Sequence, residues 1–173
     1  MASELRVDKI VPTDGVPTGG GGGIVQIKYA KKNNTQSIAA QGGYNWNVDI
    51  SGLSLSITPK FSTSKFLVQM YIGCHGTTGN AACAFRIYRD STDITVTAAD
   101  TDNRMGGTVF YNSNNTAMGL PASMNVLDSP ATTSAITYKV TGYTNTGTLY
   151  INRLPGDSNW NTISTITAME VSG

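Results

Sequence analysis

The chain contains very few of the residues that enzymes and metal sites use. Its 173 residues include one histidine, His75, and two glutamates, Glu4 and Glu170. A histidine-based triad or a metal site with several histidines would have only this one imidazole to draw on. A glycosidase needs two carboxyl groups roughly 5 to 10 Å apart around a sugar groove, and the two glutamates lie near opposite ends of the chain. These absences predict a protein that is not an enzyme and has no metal ion and no cofactor.

Charged residues, long apolar runs and cysteines are scarce as well. The charged fraction is 13% and the net charge is +1, which is too weak a field to collect a phosphate backbone. No run reaches membrane-spanning length, and the opening "MASELRVDKI" lacks the apolar segment of a signal peptide. Two cysteines are too few for a secreted disulfide framework. We expect no nucleic-acid partner, no membrane insertion and synthesis in a cytoplasm.

Threonine, serine, asparagine and glycine fill the composition, with 23, 15, 14 and 19 residues respectively. These residues favour strands, turns and polar loops over helices. Apolar residues alternate with polar ones in successive segments, which is typical of strands with one buried face. The alternating sets are Leu53, Leu55 and Ile57; Phe66, Val68, Met70 and Ile72; Cys83, Phe85 and Ile87; Met124 and Val126; Ile136, Tyr138 and Val140; Leu149 and Ile151. We predict an all-β sandwich or jelly roll of eight to ten short strands.

The first 23 residues differ from the rest. Their apolar side chains, chiefly Leu5, Val7, Ile10 and Val11, lie among charges and prolines and are too few to form a core. The alternation of Leu5 and Val7 with charged neighbours suits a strand added to the sheet edge of another protein. Five consecutive glycines then form a flexible linker with a span of roughly 12 Å. The predicted organisation is an anchoring arm of residues 1–18, a glycine linker of 19–23 and a β head of 24–173.

Aromatic residues flanked by amides form the best candidate binding surface. A ring stacks on the face of a pyranose while amides hydrogen-bond its hydroxyls. The candidate glycan or receptor contacts are Trp160, Asn159 and Asn161 in "PGDSNWN", and Tyr111, Asn112, Asn114 and Asn115 in "VFYNSNN". Tyr44 and Trp46 in "GGYNWNVD" are a weaker candidate, because packing against the head or between subunits explains Trp46 better than binding does, whereas packing and binding explain Trp160 about equally well. The group at Tyr111 is open to a second interpretation, as an ordinary polar loop.

The remaining polar and thiol residues have structural interpretations. Cys74 and Cys83 end and begin adjacent predicted strands, so they either face each other across a hairpin or remain unpaired buried thiols. His75 is interpreted as a surface or interface residue, and Asp128 in "LDSP" as a turn residue that caps the backbone. The carboxylates of Asp90, Asp93, Asp100 and Asp102 are interpreted as exposed turn residues, because the glycine and distal glutamate of a calcium loop are missing.

Two groups of segments together resemble bacteriophage proteins. The opening "SELRVDKIVPTDGVPTGGGGGIVQ" resembles the start of tail-fibre and virion structural proteins of marine and cyanobacterial phages. The segments "SKFLVQMYI", "FRIYRDST", "NVLDSPATTSAITYKV", "LYINR" and "STITAMEV" resemble the strand pattern of phage fibre heads with a C1q/TNF-like jelly roll.

This resemblance implies a homotrimer in the virion. The N-terminal arm would bind other phage virion proteins of the tail or capsid, and the head would face outward to a host surface glycan. The long repetitive shaft of ordinary tail fibres is absent between Gly23 and the head. A short fibre or spike for host attachment and a capsid decoration protein that stabilises the shell are therefore the two alternatives.

Overall fold

Fifteen strands and no helix form in the residues described by the structure, a computed structural model: 23–41, 48–76, 81–95, 107–112, 118–119, 121–154 and 157–172. The strands are β1 (Ile24–Lys32), β2 (Gln36–Ala39), β3 (Val48–Ile57), β4 (Lys65–Ile72), β5 (Cys74–Gly76), β6 (Ala81–Arg89), β7 (Thr92–Asp93), β8 (Thr108–Asn112), β9 (Met118–Gly119), β10 (Ala122–Asp128), β11 (Ile136–Thr144), β12 (Thr148–Ile151), β13 (Arg153–Leu154), β14 (Asp157–Asn161) and β15 (Ser164–Val171). The predicted all-β class is confirmed.

Two antiparallel sheets form the sandwich. The first has the order β1-β15-β4-β10, and the second has the order β3-β11-β6-β7 with β8 also paired to β6. Along the chain, successive long strands pass from one sheet to the other, except that β6, β7 and β8 lie in the same sheet. This alternation is the double-sheet arrangement of a jelly roll.

The core lies between the two sheets and is formed by the predicted alternating positions. Leu53, Phe66, Val68, Phe85 and Ile87 are all 0% exposed. The alternation holds because each sheet has one face turned to the other, so every second side chain leaves water. Met124 and Val126 are only partly buried, since they lie on the edge strand β10 and pack on the margin of the core.

A third sheet, β2-β12-β5-β9, continues the sandwich at one end, and the hairpin β13–β14 adjoins it. Here β5 prolongs the course of β4, whereas β12 follows the turn at 145–147 and runs back antiparallel to β5. From Lys65 at the start of β4 to Gly76 at the end of β5 the extended chain spans roughly 35 Å. The molecule is therefore longer along its strands than the main sandwich alone.

The structure has more strands than the eight to ten predicted, and three segments interpreted as loops form strands. Tyr111 and Asn112 lie in β8, Asn159 to Asn161 lie in β14, and His75 lies in β5. Short segments rich in amides and glycine have no alternation of apolar and polar residues to reveal them, and backbone pairing alone makes them strands.

Several predictions fall on residues outside those described. They concern the arm residues Leu5, Val7, Ile10 and Val11, the loop residues Asn114 and Asn115, the aromatic residues Tyr44 and Trp46, and the acidic residues Asp100 and Asp102. The division into arm, linker and head stays a prediction. Within the described residues, β1 begins at Ile24, one residue after the last glycine of the run.

Candidate functional site

The two ends of the sandwich carry different parts of the chain. At one end Ser172 N–H donates to the Gly23 carbonyl at 3.3 Å, and Val171 pairs with both Ile24 and Lys65. The strand β4 leaves this end at Lys65 and runs to the other. We call the end at Gly23 the near end and the opposite end the far end.

Contacts between the two sheets show which end of the second sheet lies at the near end. The Asp128 carboxylate, which lies in the near-end row of the first sheet with Phe66 and Glu170, binds Arg89 and Tyr138 of the second sheet. Arg89 is the last residue of β6, so the first residue of β6, Ala81, lies at the far end.

Tyr111 and Asn112 lie at this far end. In the antiparallel pair of β8 and β6, Asn112 is opposite Ala81 and Tyr111 is opposite Ala82. Ala82 also lies beside the turn after β11, because its N–H donates to Asn145 Oδ1 at 2.7 Å and its carbonyl accepts from Asn145 N–H. Tyr111 and Asn112 therefore share the far end of the sandwich, whereas Asn114 and Asn115 lie outside the described residues.

The strand that carries Trp160 is also remote from the near end. Asn161 pairs with Arg153, and the next strand, β15, begins at Ser164 and runs toward Gly23. Asn161 is exposed. Both predicted contact clusters thus lie away from Gly23, on two different sheets, and their role in binding stays a prediction.

His75 adjoins this hairpin. Its imidazole hydrogen-bonds the backbone of Arg153, and the Arg153 guanidinium lies 4.2 Å from the centre of the Tyr150 ring. Burial lowers the pKa of His75, because a charged imidazolium is disfavoured away from water. His75 is therefore a half-buried side chain that docks the hairpin onto β5, which differs from the surface loop that the sequence predicts.

Asp128 is a buried acceptor for two side chains, which corrects its interpretation as a turn cap. Both of its oxygens accept from Arg89 Nη1, at 2.6 and 2.8 Å, and Oδ2 accepts from the Tyr138 hydroxyl at 2.7 Å. Burial, and after it this hydrogen bond, raise the pKa of Tyr138. The reason for the error is that "LDSP" ends a strand whose last side chain points into the sandwich.

Glu170 is likewise a buried acceptor that serves the fold. It is 0% exposed, its Oε1 accepts from the Lys60 backbone N–H at 2.7 Å, and its Oε2 accepts from the Gln26 amide. The carboxylate thereby ties the loop after β3 to β1 and β15. The sequence gives no signal for this role beyond an acidic residue at a core-facing position of β15.

The side chain of Asn152 connects four strand ends. Its Nδ2 donates to the carbonyls of Lys32 and Asn34 at 2.9 and 3.1 Å, and its Oδ1 accepts from Ser164 Oγ at 2.6 Å. Its backbone N–H donates to the Gly73 carbonyl at 2.8 Å. Asn152 is 0% exposed and has a φ of 60°, a conformation that asparagine tolerates better than most residues.

Lys32 is buried beside this cluster with neutral partners. Its Nζ donates to Asn34 Oδ1 and to the Ser51 carbonyl, both at 2.9 Å, and burial lowers its pKa. Cys74 and Cys83 do not form a disulfide, and both thiols are buried in the core. Burial raises the pKa of each thiol, so neither has the exposed thiolate that reactive cysteines present.

Of the aspartates interpreted as exposed turn residues, Asp90 is exposed in a turn, and its carboxylate accepts from Thr137 N–H at 2.9 Å at a φ of 53°. Asp93 corrects that interpretation, because it lies on β7, is half-buried and pairs with Arg86 at 2.8 Å. Among the described residues there is no group of three or more His, Cys, Asp or Glu that could hold a metal ion. The same residues include no helix of the length and apolarity needed to cross a membrane.

The outer face of the first sheet is a surface that the alternation pattern did not reveal. Ile27, Leu67, Leu127 and Met169 all point away from the core, although each is apolar. The available signal is that "KFLVQM" and "ITAMEV" place apolar residues at both odd and even positions, which marks strands covered on both faces.

Comparisons with known proteins give distant structural similarity. No protein-family model and no curated protein matches the chain. A mutant VP2 protein of infectious bursal disease virus in derived T=1 particles is 14% identical with a TM-score of 0.43, and the match covers 85% of this chain and 36% of that one. The Gx strain of the same virus gives 14% identity, a TM-score of 0.45 and coverage of 100% and 42%. The crystal structure of its T13 viral particle gives 13% identity and a TM-score of 0.46, and the match covers 100% of this chain and 40% of that one.

The chain thus spans less than half the length of these viral chains. TM-scores below 0.5 at 13 to 14% identity carry no functional argument. The function has to be inferred from this chain's own residues.

Proposed function

We propose that the chain is a non-enzymatic structural protein of a phage particle, a short homotrimeric fibre or spike. Its arm, residues 1–18, binds other virion proteins, and its head presents loops to the host. The observation that carries this proposal is that the two ends of the head carry different parts of the chain. The chain enters the sandwich at Gly23 at the near end, while Asn112 and Asn161 lie away from that end.

The interior of the head supports a structural role. The carboxylates most suited to acid–base chemistry by their burial, Asp128 and Glu170, have their oxygens occupied by hydrogen bonds from the fold. A general acid or base needs a proton position that reaches a substrate. Both side chains instead stabilise contacts between strands.

Host attachment would use the far-end residues. Trp160, Asn159 and Asn161 on β14, and Tyr111 and Asn112 on β8 with Asn114 and Asn115 beyond it, provide rings and amides for a surface glycan. Each contact would be weak. Several copies bound to one cell would multiply their effect through a high effective concentration.

Deletion of residues 1–23 tests the anchoring arm. The truncated head should remain folded and keep its oligomeric state, because the core cluster of the described residues begins at Ile38, with Ala30 packed against it. It should no longer join particles when it is supplied to a phage that lacks the full-length protein. Particles that incorporate the truncated head as well as the full chain would refute the anchor.

A capsid decoration protein is the second candidate. It is favoured by the start of β1 at Ile24, directly after the glycine run, which leaves no room for a shaft. Counting the copies in a purified particle separates the candidates. Hundreds of copies indicate the shell, and a few dozen or fewer indicate the tail.

A further inference from the structure

The outer face of the sheet β1-β15-β4-β10 carries a continuous apolar row. Backbone pairing places Ile27 opposite Met169, Met169 opposite Leu67, and Leu67 opposite Leu127. Cross-strand partners project from the same face of a sheet. The row therefore crosses all four strands, and its two ends are open to solvent, with Ile27 55% and Leu127 61% exposed.

Further apolar residues extend this row in both directions along the strands. Ile24 and Tyr29 on β1 are 57% and 56% exposed, and Tyr71 on β4 is 43% exposed. The charged side chains on this face among the described residues are Lys31 and Lys65, at its two ends, and no described carboxylate faces outward here. We name this surface the apolar face.

The opposite surface of the sandwich is polar at the equivalent positions. On β3, Ser54 and Ser56 are exposed, and they lie opposite Lys139 and Thr137 of β11. The apolar row therefore distinguishes one outer face from the other, although the next outward row carries Thr167, Gln69 and Asn125 beside Tyr29. An extended exposed apolar patch on a soluble protein marks an interaction site.

We propose that the apolar face is where copies of this chain contact one another. This inference rests on the proposed homotrimer and assigns its interface. The strands that form the contact are β1, β15, β4 and β10, with Ile27 and Leu127 at the two sides of its centre.

A second copy fits this face better than a partner of different chemistry. The apolar row itself offers a glycan no amides or hydroxyls and offers an acidic partner no basic residues. Apolar surfaces need no complementary charge pattern to associate. In a trimer the Ile27 side of each face would meet the Leu127 side of the next copy, so further copies of the chain supply an apolar partner for both sides.

The size of the face is consistent with the centre of an interface. Four strands about 4.8 Å apart and seven residues long have a footprint of roughly 450 Å², against about 800 Å² per partner in a standard interface.

The position of Gly23 provides a second argument. Gly23 immediately precedes Ile24 at the near end of this face. In a cyclic assembly, equivalent residues lie at the same level along the symmetry axis. The arms of all copies would then leave from one level of the assembly, as anchoring to a particle requires.

The test is the molar mass of the full chain by light scattering after size exclusion. The unmodified chain should give about three times 18.3 kDa, and the double variant Ile27→Glu/Leu127→Glu should give 18.3 kDa with an unchanged far-ultraviolet circular dichroism spectrum. The matched control is Ser54→Glu, which places the same side chain on the polar face and should leave the mass unchanged.

A labelling experiment covers the case in which the double variant fails to fold. A thiol introduced by Leu127→Cys should react with a maleimide at least tenfold more slowly than one introduced by Ser54→Cys, while the native thiols stay buried. An oligomer whose thiol at position 127 reacts at the control rate overturns the assigned face and leaves the trimer intact. A monomeric unmodified chain overturns both, and protection at position 127 in that monomer indicates coverage by the chain's own arm.

Discussion

At the scale of single residues, the fold depends on buried polar groups whose partners come from distant strands. Asp128 shows this most clearly, since it is 8% exposed and receives three hydrogen bonds from Arg89 and Tyr138. Arg89 and Tyr138 lie on other strands, 39 and 10 residues away from Asp128 along the chain. A terminal aspartate before Ser-Pro is typical of turns, so its true role required the three-dimensional pairing of the two sheets.

We expect Asp128→Asn to lower the free energy of unfolding by about 2 to 3 kcal/mol. The amide keeps one acceptor oxygen, but it removes the charge that Arg89 binds and places an N–H₂ group against donors. Urea denaturation at neutral pH measures the change. Asp49→Asn is the matched control, because Asp49 pairs with Lys139 at 2.9 Å but is 56% exposed.

The control variant should lose less than about 1 kcal/mol, as exposed ion pairs do. Equal losses in the two variants would contradict the role given to Asp128. The comparison uses the same chemical change in both places and differs only in burial.

The two core thiols predict a dependence of stability on alkaline pH. Burial raises the pKa of Cys74 and Cys83 in the folded state, so the unfolded chain releases these protons first. The stability they contribute is complete below the unfolded pKa of about 8.5 and declines as the pH rises above it. At pH 9.5 the loss should be about 1.4 kcal/mol for Cys74 under reducing conditions, and Cys83 adds a further loss of the same sign.

Comparison with the variant Cys74→Ala/Cys83→Ala isolates this effect. Its unfolding free energy should fall less between pH 7 and pH 9.5, although its value at pH 7 is lower because of the cavities. Burial lowers the pKa of Lys32, so this residue makes the folded state more stable as the pH rises. Its contribution is the same in both proteins. Identical slopes would show that the thiols are accessible to ionisation in the folded state.

At the scale of elements, the sequence predicts strands well where one face of the strand is buried and the other is exposed to solvent. The sets Leu53–Leu55–Ile57 and Phe66–Val68–Met70–Ile72 are buried as predicted, because alternation records a difference between two environments. Strands β8 and β14 lack such a difference in their sequences and were interpreted as loops. The sheet order also could not be predicted, since it joins residues as distant as Ile27 and Met169.

The junction of β4 and β5 is the element most sensitive to side-chain size. A Cβ at Gly73 would lie 2.0 Å from Thr162 Oγ1 and 2.8 Å from Thr162 Cβ. We therefore expect Gly73→Ala to lower the free energy of unfolding by about 1 to 3 kcal/mol. Thermal or urea unfolding measures this loss.

Thr162→Gly should restore part of the stability in the Gly73→Ala background, because it removes both clashing atoms. Gly23→Ala is the control, since a Cβ there meets nothing within 4 Å, and it should change stability by less than about 0.5 kcal/mol. A Gly73→Ala variant as stable as the original chain would mean that the junction relaxes without cost.

At the scale of the whole molecule, composition and alternation predict the all-β class, whereas the difference between the near and far ends of the head depends on its topology. The near and far ends are defined by the pairing of Ile24 with Val171 and of Ala81 with Asn112. The apolar face was only partly predictable, because the alternation of Met124 and Val126 places Leu127 outward but does not show that Leu67, Met169 and Ile27 lie in the same row. Its exposure appears only when all four strands are in place.

The proposed orientation of the head predicts different thiol reactivities at its two ends in intact particles. Gly23→Cys places a thiol at the near end, and Ala40→Cys places one at the far end, where Ala40 N–H donates to the Gly147 carbonyl at 2.9 Å. Both positions are exposed in the isolated chain, so both should react with a large maleimide reagent there. The native thiols are buried and should not contribute.

In the assembled particle only the thiol at position 40 should react at the rate seen for the isolated protein. The thiol at position 23 should be slowed at least tenfold, because the anchoring arm holds the near end against other virion proteins. Reaction rates measured by mass spectrometry of dissociated particles provide the readout. Protection at position 40 with free reaction at position 23 would reverse the orientation of the head, and equal rates at both positions would mean that the head lies flat or is attached by its side.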